Sequence, residues 1–334
     1  MKKLKFGLVG AGGIAQAYAQ AFNESKCCDL VAVADVREDA GHALAEIVGG
    51  KSFSDYRDLA NVELDAVIVA TPPQSHPEIA CFFMERKIPV LCEKPLCLSV
   101  AEAETMIASA EKNNVPFTMA SKFRYCDDVV KAKGILASGA LGDVLQFENA
   151  FTAKVDMSQR WNSNAEISGG GVLIDNGTHS VDIIRYFLGA IDSVLAVDAG
   201  GTQNLPVDEN VKMFAKTKNN VTASVDLTWG INKELPYFIS IYGTNGTLHI
   251  GWRESKYKVN SNADWTIFGK GYDKVASFRG KIENFAGALR GDEELYIKPA
   301  DALASVRVIE AAYKSLNQNL WQPVVEKSNT AKSN

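Results

Sequence analysis

Three side chains in this sequence could together manage a proton and a charge at an oxygen-bearing carbon: Lys94, Asp175 and His179. The last two lie four residues apart in SGGGVLIDNGTHSVDIIRYFLG, residues 168–189. A helix therefore places them on one face, with Asp182 near that face a turn later. An imidazole, with its ordinary pKa of about 6.5, exchanges protons at neutral pH, which makes His179 the candidate general acid/base. Lys94 would hydrogen-bond the same oxygen and stabilise developing negative charge, and Asp175 would orient His179 or bind a neighbouring hydroxyl. Taken singly, each has a plainer reading: a surface lysine in a turn, or a histidine paired with a nearby carboxylate. Gly177, inside the same helix, costs about 1 kcal/mol against Ala, which is easier to understand if a cofactor or substrate approaches the backbone there. The other histidines lack such a setting: His76 reads as a helix-start residue beside a nucleotide, His42 as helix surface and His249 as a strand residue.

The opening stretch KKLKFGLVGAGGIAQAYAQAF, residues 2–22, has two readings. One is a secretory signal: lysines, then residues 6–22 without charge, then the small-x-small triplet Ala17-Tyr18-Ala19. Four glycines within residues 7–13 break the apolar continuity that reading needs, and there is no twin arginine. The other is a strand, a turn and a helix. Gly10-Ala11-Gly12-Gly13-Ile14-Ala15 fits the G-x-G-x-x-G/A fingerprint, with Gly10 for the tight turn, Gly12 for approach of a pyrophosphate and Ala15 for helix–strand packing. Asp35, twenty residues beyond Ala15, can accept hydrogen bonds from the ribose diol of NAD and would repel a 2′-phosphate. Arg37 pulls the other way, since it could pair with that phosphate or stack on the adenine. NAD is expected over NADP.

Apolar runs at residues 4–10, 29–35, 65–71, 89–93 and 116–120 alternate with helical stretches at about 13–23, 37–48, 76–87 and 99–114. Their continuous hydrophobicity suits parallel strands covered on both faces, and the alternation predicts a doubly wound α/β sheet. Ser99 and Glu102 make a capping box. Thr71-Pro72 and Glu93-Lys94 then fall at carboxyl ends of strands, where ligands bind in such sheets. The expected cofactor set is Gly10, Gly12, Gly13, Ile14, Asp35, Arg37, Thr71, Pro72, His76, Glu93 and Lys94. Beyond residue 121 come helices at about 125–138, 171–188 and 299–317 and strands at 143–153, 192–199, 210–217, 220–229, 237–243 and 246–251. Hairpin signals at Asn219-Asn220 and Asn245-Gly246 make this half a mainly antiparallel sheet. The expected division is residues 1–121, residues 122–325 with the last helix packing back on the first domain, and a flexible tail at 326–334.

A net charge of −5 on 334 residues excludes the dense basic surface that nucleic acid requires. Six cysteines without a CxxC pair read as reduced thiols of a cytoplasmic protein. With four histidines and no clustered ligands, no metal site is expected, and no run is apolar enough for a membrane span.

The sequence resembles the glucose-fructose oxidoreductase, inositol dehydrogenase and MocA (Gfo/Idh/MocA) family of NAD(P)-dependent oxidoreductases. The likeness runs through GLVGAGGIA, ATPPQSH, CEKP, Arg124-Tyr125, Gly139-Ala140-Leu141-Gly142, Trp161, SGGGVLIDNGTHSVD and IYGTNGTL. It implies a Rossmann domain followed by an α/β domain with an open, mainly antiparallel sheet that often forms a dimer or tetramer interface. It also implies that Lys94, Asp175 and His179 are the catalytic lysine, aspartate and histidine. The expected activity is hydride transfer between nicotinamide and a secondary hydroxyl or keto group of a sugar or polyol. The rivals are a glycosidase using NAD transiently and a non-catalytic NAD-binding regulator. Trp161 could pack on a sugar ring or sit at the domain seam. Arg124 could bind a substrate hydroxyl or carboxylate, or pair with Asp127 or Asp128.

Overall fold

A computed structural model of the chain describes residues 2–262 and 264–325. The first half alternates β1 (Leu4–Val9), α1 (Ala15–Glu24), β2 (Cys28–Ala34), α2 (Glu38–Val48), β3 (Lys51–Phe53), β4 (Ala66–Val69), α3 (His76–Glu85), β5 (Val90–Glu93), α4 (Val100–Asn113) and β6 (Phe117–Ala120). The six strands pair in parallel in the order β3-β2-β1-β4-β5-β6. Every residue of β4, β5 and β6 is buried, as strands sandwiched between helix layers must be. The strand order reverses between β1 and β4, and the crevice at the carboxyl ends there is where such sheets bind ligands. The Ser99–Glu102 capping box is formed. β3 has no counterpart among the apolar runs, because it is a three-residue edge strand with an exposed Lys51.

The second half comprises α5 (Asp127–Ala137), β7 (Val144–Thr152), α6 (Ala165–Ser168), α7 (Val172–Leu188), β8 (Ile191–Asp198), β9 (Asn210–Thr217), β10 (Thr222–Thr228), β11 (Tyr237–Gly243), β12 (Gly246–Gly251), β13 (Ser255–Val259), β14 (Thr266–Gly269), α8 (Lys274–Arg290), α9 (Pro299–Gln318) and β15 (Gln322–Pro323). Nine strands form one open sheet in the order β14-β13-β12-β11-β7-β10-β9-β8-β15. All neighbours are antiparallel except β7 and β10. In β9 buried and exposed residues alternate from Val211 to Thr217, so one face lies against the core and the other is open.

The two sheets have separate cores only in part. From α8, Phe278, Ile282, Phe285 and Ala286 enter the apolar cluster built on Phe6, Leu8 and Tyr18 of the first half. From α9, Ala302 and Val306 pack with Cys92 and Met106, while Val308, Ile309 and Ala312 pack with Leu173 and Leu227 of the second half. The two sheets fall on either side of residue 121, and two late helices, α8 and α9, pack on the first one. The tail at 326–334 lies outside the described residues. Among those described, no helix is long and apolar enough to cross a membrane.

Candidate active site

The turn after β1 is shaped by contacts with its own backbone. Gly10 has φ +100°, its N–H donates to Ala34 O at 2.8 Å, and a Cβ there would sit 2.7 Å from Ala70 O. A side chain is thus excluded twice, by conformation and by space. At Gly12 and Gly13 a Cβ would meet nothing within 4 Å. These are open faces, and the start of α1 just beyond, with no side-chain cap at Ile14, leaves helix N–H groups for an anion. The Asp35 side chain, 9% exposed, accepts from Ala11 N at 2.6 Å and Arg37 N at 2.8 Å, while the Arg37 side chain reaches into solvent with Nε 3.5 Å from Asp35 Oδ1. An uncrowded glycine turn at a helix start, with a carboxylate at the end of β2, fits a dinucleotide.

His76 departs from the expected role. Its ring is fully buried, with Nε2 2.7 Å from Thr71 O and Nδ1 3.1 Å from both Pro95 O and Leu96 O. It ties the loop after β4 to the turn after β5 and presents no face to a nucleotide; burial pushes its pKa below the usual imidazole value. Thr71 and Pro72 stay in that loop, with Ser75 Oγ 2.7 Å from Thr71 Oγ1 and 2.8 Å from Pro72 O.

Lys94, Asp175 and His179 converge on one cavity of about 290 Å³, which Ile14, Glu93 and Asn176 also line. Lys94 Nζ donates to Asp175 Oδ1 at 2.5 Å and to Asp175 O at 3.1 Å. Asp175 therefore holds Lys94, not His179. The His179 ring packs edge-on to Phe123 at 5.0 Å, and its buried Nδ1 has no hydrogen-bond partner among the described residues. Burial first, then the charges of Lys94, Lys122 and Lys281, hold the His179 pKa well below 6.5. Glu93 is a buried hub: Tyr18 Oη donates to it at 2.7 Å, Lys281 Nζ at 2.5 Å and Lys94 N at 3.1 Å. Burial works to raise the Glu93 pKa, but Lys281, the Tyr18 hydroxyl and Lys94 outweigh it and hold the carboxyl below its usual range.

The start of α7 is fixed from outside the helix. Asp208 Oδ1 accepts from Gly171 N at 2.9 Å and its Oδ2 from Leu173 N at 2.7 Å, and Tyr313 Oη braces Oδ1 at 2.9 Å. A carboxylate at this end also complements the helix dipole. Gly177 serves packing rather than a ligand: a Cβ would meet Leu173, Leu227 and Ile309 methyls at 3.1 to 3.5 Å.

Residues 4–121 match the oxidoreductase family with an NAD-binding Rossmann fold, and residues 129–249 match the GFO/IDH/MocA C-terminal domain. The chain belongs to the Gfo/Idh/MocA family. Glucose-6-phosphate 3-dehydrogenase of Bacillus subtilis is 30% identical over 233 residues, 66% of each chain. The rhizopine catabolism protein MocA of Rhizobium meliloti is 26% identical over 332 residues, 96% of this chain and 97% of that one. Levoglucosan dehydrogenase, solved with NADH and L-sorbose, shares the fold with a TM-score of 0.90 at 21% identity, covering 98% of this chain and 100% of that chain.

Two residues expected near the substrate in this Gfo/Idh/MocA chain lie elsewhere. Arg124 is buried, with Nη2 2.7 Å from Asp182 Oδ1, Nε 3.1 Å from Asp182 Oδ2 and Nη1 3.2 Å from Tyr296 O. This pair locks the segment after β6 to α7 and takes Asp182 out of the cavity as well; Asp127 and Asp128 are not its partners. Trp161 sits on the exposed 161–163 turn, outside the cavity lining. The aromatic lining comes instead from Phe123, Phe151, Trp252 and Phe278. Lys122, Lys281 and Trp252 carried no sequence signal. Burial, with neighbouring lysines, pushes Lys122 down to about 7 and, against the pull of Glu93, Lys281 down to about 8.

Proposed function

We propose that this Gfo/Idh/MocA oxidoreductase transfers a hydride between a nicotinamide dinucleotide and a secondary hydroxyl or keto group of a sugar or polyol in the cavity lined by Lys94, Asp175 and His179. The observation that carries the reading is the meeting of a lysine ammonium and an unpartnered neutral imidazole beside the Ile14 end of the glycine turn. Nicotinamide bound there supplies the hydride acceptor for oxidation and the donor for reduction. Gly10, Gly12, Gly13 and Ile14 would hold its pyrophosphate through backbone N–H groups.

In the oxidative direction His179 takes the hydroxyl proton. Its depressed pKa keeps the ring neutral and able to accept throughout the physiological range, and the surrounding positive charge returns the proton promptly afterwards. Lys94, fixed by Asp175 on two oxygens, places Nζ to stabilise the developing alkoxide. Phe151 and Trp252 line the cavity, and aromatic surface of this kind suits the apolar side of a sugar ring. The acid limb of kcat/KM for oxidation is therefore expected well below pH 6.5, where His179 first becomes protonated.

Asp35 supports NAD over NADP, because its carboxylate, held against the turn by Ala11 N, would accept from a ribose diol and repel a 2′-phosphate. Six free thiols support a cytoplasmic location. The open face of the second sheet, with Phe214 and Val197 exposed, supports a homodimer or homotetramer, checked by light scattering. The direct test incubates the protein with NAD or NADP and a panel of polyols, sugars and sugar nucleotides while following reduced nicotinamide. Accumulation with at least one compound is expected. Tight NAD binding with no turnover would indicate a regulator instead, and release of free sugar from a glycoside without net NADH would indicate a glycosidase.

A further inference from the structure

The charges around the cavity do not balance. Asp175 is paired with Lys94, and Glu93 with Lys281. Lys122 lines the same wall, yet among the described residues no carboxylate or hydrogen-bond acceptor meets it. Its Nζ has only the ring faces of Phe123 and Tyr272, at 5.1 and 5.3 Å. The other titratable groups near it are Tyr272, whose pKa burial pushes up so that its hydroxyl stays neutral, Lys94 and Glu93 at the end of β5, Lys281 and Lys274 on α8, and His179 on α7. Three of these are further lysines, the histidine is neutral, and Glu93 is already shared by Lys281, Tyr18 and the Lys94 amide.

We propose that Lys122 anchors an oxyanion of the substrate, a carboxylate or phosphate, so that this enzyme acts on a sugar acid or a sugar phosphate in preference to a neutral sugar. The inference rests on the reading of the cavity as the sugar site. Beside a neutral hydroxyl Lys122 is either an uncompensated cation or a deprotonated amine in a partly buried, lysine-rich wall, whereas an oxyanion supplies the missing partner of the cation and a charge-assisted hydrogen bond. The low pKa of Lys122 agrees: the free cavity relieves its charge by shedding this proton at a pH near 7, and an arriving oxyanion would bring the proton back.

The test is calorimetric titration of the NADH-loaded enzyme at about pH 8 with D-glucose, D-glucuronate and D-glucose 6-phosphate, in two buffers of different ionisation enthalpy. At least one anionic sugar should bind about 10- to 100-fold more tightly than glucose. Its binding should take up about one proton from the buffer. Preference for glucuronate identifies a sugar acid, and preference for the 6-phosphate a sugar phosphate. Lys122→Met should erase both the preference and the proton uptake. Lys122→Arg should keep the preference without the uptake, because a guanidinium does not titrate in this range. The proposal is overturned if no anionic sugar is preferred, including the case in which none of the three binds. It is equally overturned if Lys122→Met weakens all three alike, or if the proton is taken up on adding NADH alone. Binding is read without turnover, so an enzyme that prefers oxyanions through Lys122 but oxidises nothing would sink the dehydrogenase reading and leave this assignment standing.

Discussion

The cofactor turn and the cavity beside it are built on opposite principles. The turn is one contiguous segment, residues 10–15, whose function is carried by backbone: a left-handed glycine, two open glycine faces and a helix start. The cavity is assembled from side chains that arrive from β5, the segment after β6, β7, α7, the loop after β12 and α8. A site of the first kind depends on local conformation, whereas one of the second depends on every packing contact that brings its elements together. Substitutions should therefore separate the two.

The largest expected effect falls on the cavity alone. His179→Ala should lower kcat by roughly a hundred- to ten-thousandfold while NADH binds within about twofold of wild type, as read by steady-state kinetics and NADH fluorescence titration. Equal losses in both would mean that turn and cavity are not separable. Next comes the assembly itself: Lys281→Met leaves Glu93 buried with one partner fewer, and should cost about 3–5 kcal/mol of stability in denaturant unfolding. Gly10→Ala should act on the turn, costing about 1–3 kcal/mol through its positive φ and the collision with Ala70 O, and weakening NADH along with stability. Gly12→Ala sharpens the contrast. With open space around its Cβ it should change stability by less than about 0.5 kcal/mol, yet still weaken NADH by occupying the pyrophosphate's approach. A stability loss as large as that of Gly10→Ala would contradict the open face.

The same division explains what could be read from residues alone. The turn and the buried parallel strands were legible because their signals are local: glycine spacing, apolar runs and the Ser99–Glu102 box. Lys94 at a strand end and Asp175 with His179 on one helix face were legible as separate candidates, and only the family resemblance joined them as a set. Their pairing was not, since only the packing of α7 against the turn after β5 decides that Asp175 meets Lys94. The Arg124 pairing was hidden for the same reason: its partner Asp182 is 58 residues away, whereas Asp127 and Asp128 lie about one helical turn along the chain. α8 escaped because Lys281 and Asn284 interrupt its apolar face, and both are buried to bond Glu93 and the Glu293–Tyr296 segment. In β13, Lys256 and Lys258 flank Tyr257, leaving too little apolar contrast to announce a strand.

The most direct measurement uses the best substrate from the sugar panel, deuterated at the carbon that is oxidised, with the reduced nicotinamide isolated and analysed by mass spectrometry. Direct transfer within the cavity predicts one deuterium on the reduced cofactor from wild-type enzyme, and none formed at a comparable rate by His179→Ala. Reduced cofactor without deuterium, with the label in solvent water, would contradict hydride transfer from the sugar carbon.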